Sequence, residues 1–174
     1  MYDKPRRCPW VEHVRKLKPV YRLHRGAQTM FFHKILIPTD GSATAQRAAL
    51  VAADLAKRYG ATLEIVSVID PSPFIYFPDS GGEAMSYYME ASEAGAKQGI
   101  EHAEDAATTA GVAYASHVLR EHGPAQSIVE HAKSAGCDLI VIGSHGRRGL
   151  DAVLLGSVAQ KVLTLAPVPV FVIK

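Results

Sequence analysis

Short apolar segments alternate with segments of helical periodicity along most of this chain. Several of the apolar segments are nearly continuous runs of Val, Ile and Leu, which is typical of strands in a parallel sheet covered on both faces. Pro169 has no backbone N–H to donate, so the last segment is predicted to lie at a sheet edge. The five predicted strands are Ile35–Ile37, Leu63–Ile69, Val112–Arg120, Asp138–Ile142 and Val168–Ile173.

Between these strands, small and apolar residues recur at the spacing of amphipathic helices. The first predicted helix starts at the Asp40–Ser42 turn, where a polar side chain can cap it, and ends at Tyr59-Gly60. The second covers Glu83–Ala110 and is expected to be interrupted by two glycines. The third starts at Pro124 and closes at Gly136, and the fourth covers Ser157–Leu165. The interrupting glycines of the second helix are Gly95 and Gly99.

The resulting βαβαβαβαβ order predicts an α/β fold, a single domain with a doubly wound five-stranded parallel sheet and right-handed crossovers. Ligands of such sheets bind where the strand order reverses, at the carboxyl ends of the strands. The spatial order 3-2-1-4-5 would place Asp40 beside Gly143–Gly149, whereas the order 2-1-3-4-5 would separate them. Only the first order therefore allows these two segments to form one site.

Composition and cysteine content indicate the class of protein to which this chain belongs. The 174 residues are 48% hydrophobic and 21% charged, which suits one globular domain with a real core. The chain lacks the apolar run of roughly 18 residues that a bilayer span requires. Two cysteines, Cys8 and Cys137, cannot form a disulfide framework, which favours a reducing, cytoplasmic location. Cys137 is expected to be a small core residue.

The two ends of the chain differ in charge. Residues 1–30 carry a net charge of +6, whereas the remainder carries −4, so a large nucleic-acid footprint on the main domain is not expected. The basic segment shows no sustained periodicity and is interpreted as a disordered extension before a domain that covers residues 31–174. Met30 resembles an ordinary protein start, and we expect it to be the natural one.

Glycines are concentrated after the fourth strand. Gly143, Gly146, Gly156 and Ser157 form the spacing G-x2-G-x9-G-S, which is neither a Walker A loop nor a dinucleotide-binding fingerprint. Glycines between a buried strand and a helix allow backbone N–H groups to approach phosphates, and a helix N-terminus attracts anions. Turn formation and helix capping would explain any single glycine, but the full spacing at a strand end favours a phosphate ligand.

Nearby charged residues allow more than one interpretation. Arg147 and Arg148 can neutralise phosphates or remain solvated loop charges, and Arg147 is the better candidate. His145 is expected to hydrogen-bond within its loop. Asp40 can act as a base or a Mg²⁺ ligand, or simply cap a strand end. The other histidines considered show no persuasive metal-ligand spacing; these are His102, His117, His122 and His131.

These segments together resemble the universal stress protein family, in the subgroup that binds ATP. The resemblance covers residues 31–174 and leaves residues 1–30 unmatched. It rests on KILIPTDGS, VSVID, DLIVIGSHGRRG, LLGSVAQKVL and PVPVFVIK, which begin at residues 34, 66, 138, 154 and 167.

The resemblance implies the order 3-2-1-4-5 and an adenine-nucleotide site. In that site, Asp40 would accept hydrogen bonds from the ribose and Val68 would contact adenine through its backbone. The other implied residues are Pro38 and Thr39 on the nucleoside side, Ile142 beside the base or sugar, and Gly143, Gly146, Gly156, Ser157 and Val158 around the ribose and phosphates. It also implies a homodimer through the edge strand 168–173, whose unpaired backbone groups another strand would cover.

The function expected from these observations is an ATP-binding, homodimeric regulator of the stress response, read by a regulatory protein partner and not by a membrane or nucleic acid. Mg²⁺ or Mn²⁺ would accompany the phosphates. The sequence shows no activated nucleophile and no base with an orienting partner, so catalysis is not expected to be the main role. Two alternatives remain: a slow ATP hydrolase or autokinase, and a partner-binding protein with a vestigial nucleotide pocket.

Overall fold

The computed structural model describes residues 32–71, 81–121, 123–146 and 155–174. Within them, five strands and four helices alternate along the chain. The strands are β1 (Lys34–Pro38), β2 (Thr62–Ile69), β3 (Tyr114–Arg120), β4 (Leu139–Gly143) and β5 (Val170–Ile173). The helices are α1 (Ala43–Tyr59), α2 (Gly81–Ala110), α3 (Pro124–Ser134) and α4 (Ser157–Leu165).

The central strands are buried on both faces, as their continuous apolar sequences predict. Ile35 and Ile37 of β1 pack into a cluster with the alanines of α1 and α2, while Leu36 points into a second cluster with α3 and α4. All three side chains are fully inaccessible to solvent. The pleat of the strand sends successive side chains to opposite faces, so an apolar run supplies both cores.

Local signals at the helix ends explain the first crossover. The Ser42 side chain caps α1 by accepting a hydrogen bond from the Ala45 N–H, at 3.3 Å. The helix ends at Gly60, whose φ of 68° lies in the left-handed region. Glycine adopts this conformation without the steric penalty of a Cβ. Both ends of α1 therefore match the sequence prediction.

The predicted interruption of α2 is wrong. The helix is continuous from Gly81 to Ala110 and begins two residues before the predicted Glu83. Gly95 and Gly99 lie inside it, and Gly99 is buried against the loop that follows β1. A glycine weakens a helix by only about 1 kcal/mol, which tertiary packing readily offsets. Among the helices of the described segments, none is both long and apolar enough to cross a bilayer.

All five strands also differ from prediction by one or two residues: β1 and β2 are longer than predicted, and the other three are shifted or shortened. β3 begins at Tyr114, because Val112 precedes the strand and packs into the core instead. β4 is displaced by one residue from the predicted Asp138–Ile142; Asp138 lies just before it, and its carboxylate accepts hydrogen bonds from the His33 and Lys34 N–H groups. β5 starts at Val170, just after Pro169.

The sheet is wholly parallel and has the order β3-β2-β1-β4-β5, which confirms the predicted 3-2-1-4-5 topology. β5 forms one edge of the sheet, as Pro169 suggested. β1 and β4 are neighbours, so the loops that follow them leave the same edge of the sheet side by side. The order reverses between these two strands, which is where doubly wound sheets bind ligands.

Candidate functional site

A cavity of about 670 Å³ opens at the carboxyl ends of β1, β2 and β4. Its volume falls in the range of small-molecule sites, roughly 300–1,000 Å³. Ten of the eleven predicted nucleotide-site residues line it, and the eleventh, Arg147, lies outside the described residues. The ten are Pro38, Thr39, Asp40, Val68, Ile142, Gly143, Gly146, Gly156, Ser157 and Val158.

Close packing, and not backbone conformation, explains the glycines of the motif, since none of the three has a positive φ. A Cβ on Gly146 would lie 2.5 Å from Asp40 Oδ2, and one on Gly143 would lie 2.9 Å from the Ala45 nitrogen at the start of α1. A Cβ on Gly156 would lie 3.1 Å from the Ser144 carbonyl oxygen. The missing side chains thus let the loops after β1 and β4 approach each other.

Hydrogen bonds join the same two loops. The hydroxyls of Ser42 and Thr44 both donate to the His145 carbonyl, the former at 3.3 Å. The Gly156 N–H donates to the Ser144 carbonyl at 2.8 Å, and this bond holds the residue before α4 close to the end of β4. The two bonds to the His145 carbonyl join residues 103 and 101 positions apart, so tertiary structure fixes the geometry of the site.

The N-terminus of α4 faces the cavity. Gly156 is its N-cap and provides no side-chain hydrogen bond, and the first turn contains no acidic residue. Ser157 and Val158 of that turn line the cavity. The first N–H groups of a helix have no partner within the helix and carry a partial positive charge, so this end is suited to an anionic group.

Two carboxylates also line the cavity. Asp40 follows β1, and its Oδ1 accepts a hydrogen bond from the Ser42 N–H at 3.0 Å. Asp70 follows β2 and also lines the cavity. Among the described lining residues, none is Lys or Arg. The described walls therefore offer backbone and hydroxyl donors to an anion and carboxylate acceptors to hydroxyl groups.

One wall of the cavity comes from α2 and was not predicted from the sequence. The Tyr88 hydroxyl donates to the Asp70 carbonyl at 3.0 Å and ties this helix to the end of β2. The residues that α2 contributes carry no recognisable motif, and only the path of the helix across the sheet brings them here. They are Tyr88, Ala91, Ser92 and Ala96.

The Ser144–His145 segment agrees with the local role predicted for the histidine. The Ser144 hydroxyl lies 3.0 Å from His145 Nδ1, within hydrogen-bonding distance. The Ser144 N–H donates to the Ile173 carbonyl at 2.7 Å, so a backbone hydrogen bond attaches the start of this loop to β5. The remaining predicted loop residues, Arg148 and Gly149, lie outside the described residues.

Sequence relatives match most of the chain. A universal stress protein of Methanocaldococcus jannaschii is 39% identical over 144 residues, which is 82% of each chain. A universal stress protein of Thermus aquaticus is 35% identical over 147 residues, covering 82% of this chain and 99% of the relative.

Solved structures share the fold. The universal stress protein UspA of Lactobacillus plantarum matches with a TM-score of 0.70 at 27% identity, covering 84% of this chain and all of the other. A universal stress protein of Archaeoglobus fulgidus in complex with dAMP matches with a TM-score of 0.60 at 25% identity, covering 83% and 100% of the two chains. The family model for universal stress proteins matches residues 31–174. The chain therefore belongs to the universal stress protein family.

Proposed function

We propose that this universal stress protein binds ATP and acts as a nucleotide-responsive regulator. The observation that carries the proposal is the meeting of Asp40 with Gly146 and the N-terminus of α4 around one cavity. This arrangement combines an acceptor for hydroxyl groups with donors for an anion, at the point where the strand order reverses. A nucleotide carries ribose hydroxyl groups and anionic phosphates that are only a few covalent bonds apart.

The adenosine end of the ligand would lie near β1 and β2. Asp40 would accept hydrogen bonds from the ribose hydroxyls, and the backbone of Val68 would contact the adenine edge. Ile128, Ile142 and Val66 provide apolar surface in the same cavity for the face of a base. The dAMP complex of the Archaeoglobus fulgidus relative supports an adenine nucleotide as the class of ligand.

The phosphates would lie against α4. Gly156, Ser157 and Val158 would donate N–H groups, and the Ser157 hydroxyl would add a further donor. Since the described lining residues include no Lys or Arg, most of the phosphate charge needs another source of neutralisation. Mg²⁺ or Mn²⁺ carried on the phosphates, with Arg147 from the loop, would supply it.

Regulation, in this proposal, comes from the connection between the cavity and the sheet edge. The loop that holds Ser144 hydrogen-bonds to Ile173 of β5, the strand through which two copies would form a homodimer. Nucleotide binding against Gly156 and Ser157 would order this loop and stabilise the dimer that a regulatory partner recognises. A reducing cytoplasm is the compartment proposed, because Cys137 is a buried free thiol.

The decisive experiment measures nucleotide on the purified chain. Nucleotide extracted from the protein should be identified by mass as ATP or a product of it, and added Mg²⁺-ATP should raise the melting temperature. Gly156→Val should abolish this stabilisation, because its side chain would displace Ser144 or fill the phosphate position. Circular dichroism would show whether the variant is folded. Titration with ATP well below its melting temperature would show whether the folded variant still binds the nucleotide.

Gly60→Asn is the matched control for that variant. Gly60 has a left-handed φ that asparagine tolerates, no atom lies within 4 Å of its added Cβ, and it lies outside the cavity lining. It should bind ATP as the wild type does. Equal ATP binding by a folded Gly156→Val protein would contradict the proposed site. Steady phosphate release that Asp40→Ala abolishes would instead favour the hydrolase.

A further inference from the structure

A second polar cluster lies where the sheet meets α3. Glu64 of β2, His117 of β3 and His131 of α3 direct their side chains to one point. The Nε2 atoms of His117 and His131 lie 2.8 and 3.0 Å from the same oxygen, Glu64 Oε1. One nitrogen or oxygen from each of the three residues lies within 4.8 Å of the other two.

Glu64 is an unusual residue for its position. It is 5% exposed and is the one charged residue of β2, at the third position of the strand, beside Leu36 of β1 in the register. Its side chain points to the same face as that of Val66, which packs with α3. A buried carboxylate is costly unless it is paired or coordinates a metal. The cluster therefore needs a positive partner for Glu64.

We propose that Glu64, His117 and His131 bind one divalent transition-metal ion of the zinc class. Two imidazole nitrogens and one carboxylate oxygen are a ligand set that zinc accepts in four-coordinate sites. Zinc-bound ligand atoms in a tetrahedron lie roughly 3.4 Å apart, so each of the two Nε2–Oε1 distances would have to lengthen by about half an ångström to admit the ion. Imidazole ligands favour zinc, copper or nickel over Mg²⁺ and Ca²⁺.

The burial of the cluster is graded from the core to the solvent. The His131 side chain is 15% exposed and the His117 side chain 45%, whereas the Glu64 side chain is 7% exposed. An ion can thus enter past His117, and the solvent side provides the fourth ligand as water. Lys34 Nζ lies 4.0 Å from Glu64 Oε2 and would oppose a cation, but its side chain is 37% exposed and can turn toward water.

The competing explanation is that the two histidines and Lys34 only neutralise Glu64 through hydrogen bonds and charge. That arrangement would place two imidazole N–H groups on a single carboxylate oxygen. Two donors on one carboxylate oxygen are ordinary chemistry. A metal ion makes a different prediction, because it requires both Nε2 atoms to be unprotonated acceptors.

The cluster is separate from the nucleotide cavity. The cavity is lined by the carboxyl-terminal half of β2, from Val66 onward, whereas Glu64 lies toward the start of that strand. None of the three proposed ligands lines the cavity. The metal proposal is therefore independent of ATP binding, and the two can fail separately.

The test uses the full chain without an affinity tag, treated with a chelator and free of nucleotide. Calorimetric titration with Zn²⁺ should show one ion per chain, and Zn²⁺ should raise the melting temperature. Co²⁺ should give the visible absorption of a four-coordinate site. His117→Ala and His131→Ala should each weaken Zn²⁺ binding by at least tenfold and remove the Co²⁺ bands.

His33→Ala is the matched control. His33 also contacts a carboxylate, with its Nδ1 3.1 Å from Asp138 Oδ2, but it belongs to no cluster of three metal-ligating residues in the described segments. It should bind Zn²⁺ as the wild type does. Absence of stoichiometric binding, or unchanged affinity in His117→Ala, would overturn the proposal, as would an equal loss in His33→Ala. His117 is half-exposed, so its variant decides the question even if His131→Ala fails to fold.

Discussion

At the scale of single residues, the site depends as much on missing side chains as on those present. Gly146 leaves room for the Asp40 carboxylate, and Gly156 leaves room for the Ser144 carbonyl. The spacing of these glycines was visible in the sequence. The contact of Gly146 was not, because Asp40 lies more than 100 positions earlier in the chain, and the contact of Gly156 with Ser144 appears only in the folded structure. The sequence therefore predicted which residues gather at the cavity, while the reason that they must be glycine came from packing.

The cluster of Glu64, His117 and His131, in contrast, was not predicted from the sequence. Their spacing matches no metal motif, and the sequence interpretation set both histidines aside. They meet only because β3 pairs with β2 and α3 packs against β2. One signal was present in the sequence: Glu64 is a carboxylate inside the apolar strand Thr62–Ile69. A charge at such a position calls for a partner from elsewhere in the fold.

Cys137 provides a prediction about pH at this scale. Burial raises the pKa of its thiol to about 11, and the negative charge of Glu64 adds to the effect. The folded state then keeps a proton that the unfolded state loses above pH 9, so the free energy of unfolding should fall between about pH 9 and 11. The full loss approaches about 2 kcal/mol. Denaturant titrations across this range measure it.

The comparison variant is Cys137→Ala, which removes the thiol and keeps every other titrating group. The stability difference between wild type and variant should be constant below pH 9 and should shrink above it. Parallel curves for the two proteins up to pH 11 would refute the assignment. Peptide-resolved alkylation at pH 8 gives a second readout, because Cys137 should react slowly in the folded chain and readily in denaturant.

At the scale of helices and strands, the sequence predicted the type and order of every described element. β1 and β4 were recognisable because continuous apolar runs bounded by turns have few alternative interpretations. The errors concern positions where tertiary contacts override local preference. Gly95 and Gly99 suggested a break in α2, whereas the helix passes through both and packs Gly99 against Gly41.

Gly99 is predicted to be a packing requirement of α2. A Cβ there would lie 2.7 Å from the Gly41 nitrogen and 3.2 Å from Thr39 Oγ1, and the backbone atom cannot move aside cheaply. Gly99→Ala should therefore lower the free energy of unfolding by about 1–3 kcal/mol, despite the better helix propensity of alanine. Chemical denaturation measures the change.

Gly82→Ala, in the same helix, is the matched control. No atom lies within 4 Å of the Cβ that this change adds, so only the helix propensity acts. It should leave stability unchanged or raise it by up to about 1 kcal/mol. If Gly99→Ala were as stable as Gly82→Ala, the close approach of α2 to the loop after β1 would be wrong.

At the scale of the whole molecule, the parallel sheet leaves β5 as an edge with apolar residues. Phe171 is 42% exposed, and its ring packs edge-on against Phe32 with centroids 6.3 Å apart. Exposed edges attract other strands, and natural proteins cover or charge them. The described part of β5 carries no charge. Pairing with β5 of a second copy would cover the edge in a symmetric dimer.

Phe171→Glu should convert that dimer to a monomer. The substitution places a carboxylate on each side of the symmetric interface, so like charges would face each other where an aromatic surface was buried. Leu50→Glu is the matched control, because it adds the same charge at a large apolar residue that is 62% exposed but belongs to α1 and not to β5. Light scattering after size-exclusion chromatography, over a range of concentrations, should give a dimer for the wild type and Leu50→Glu and a monomer for Phe171→Glu. A monomeric wild type at every concentration, or equal behaviour of the two variants, would show that β5 does not form the interface.

ATP should strengthen the wild-type dimer, because the Ser144 N–H connects the nucleotide loop to Ile173 of the same strand.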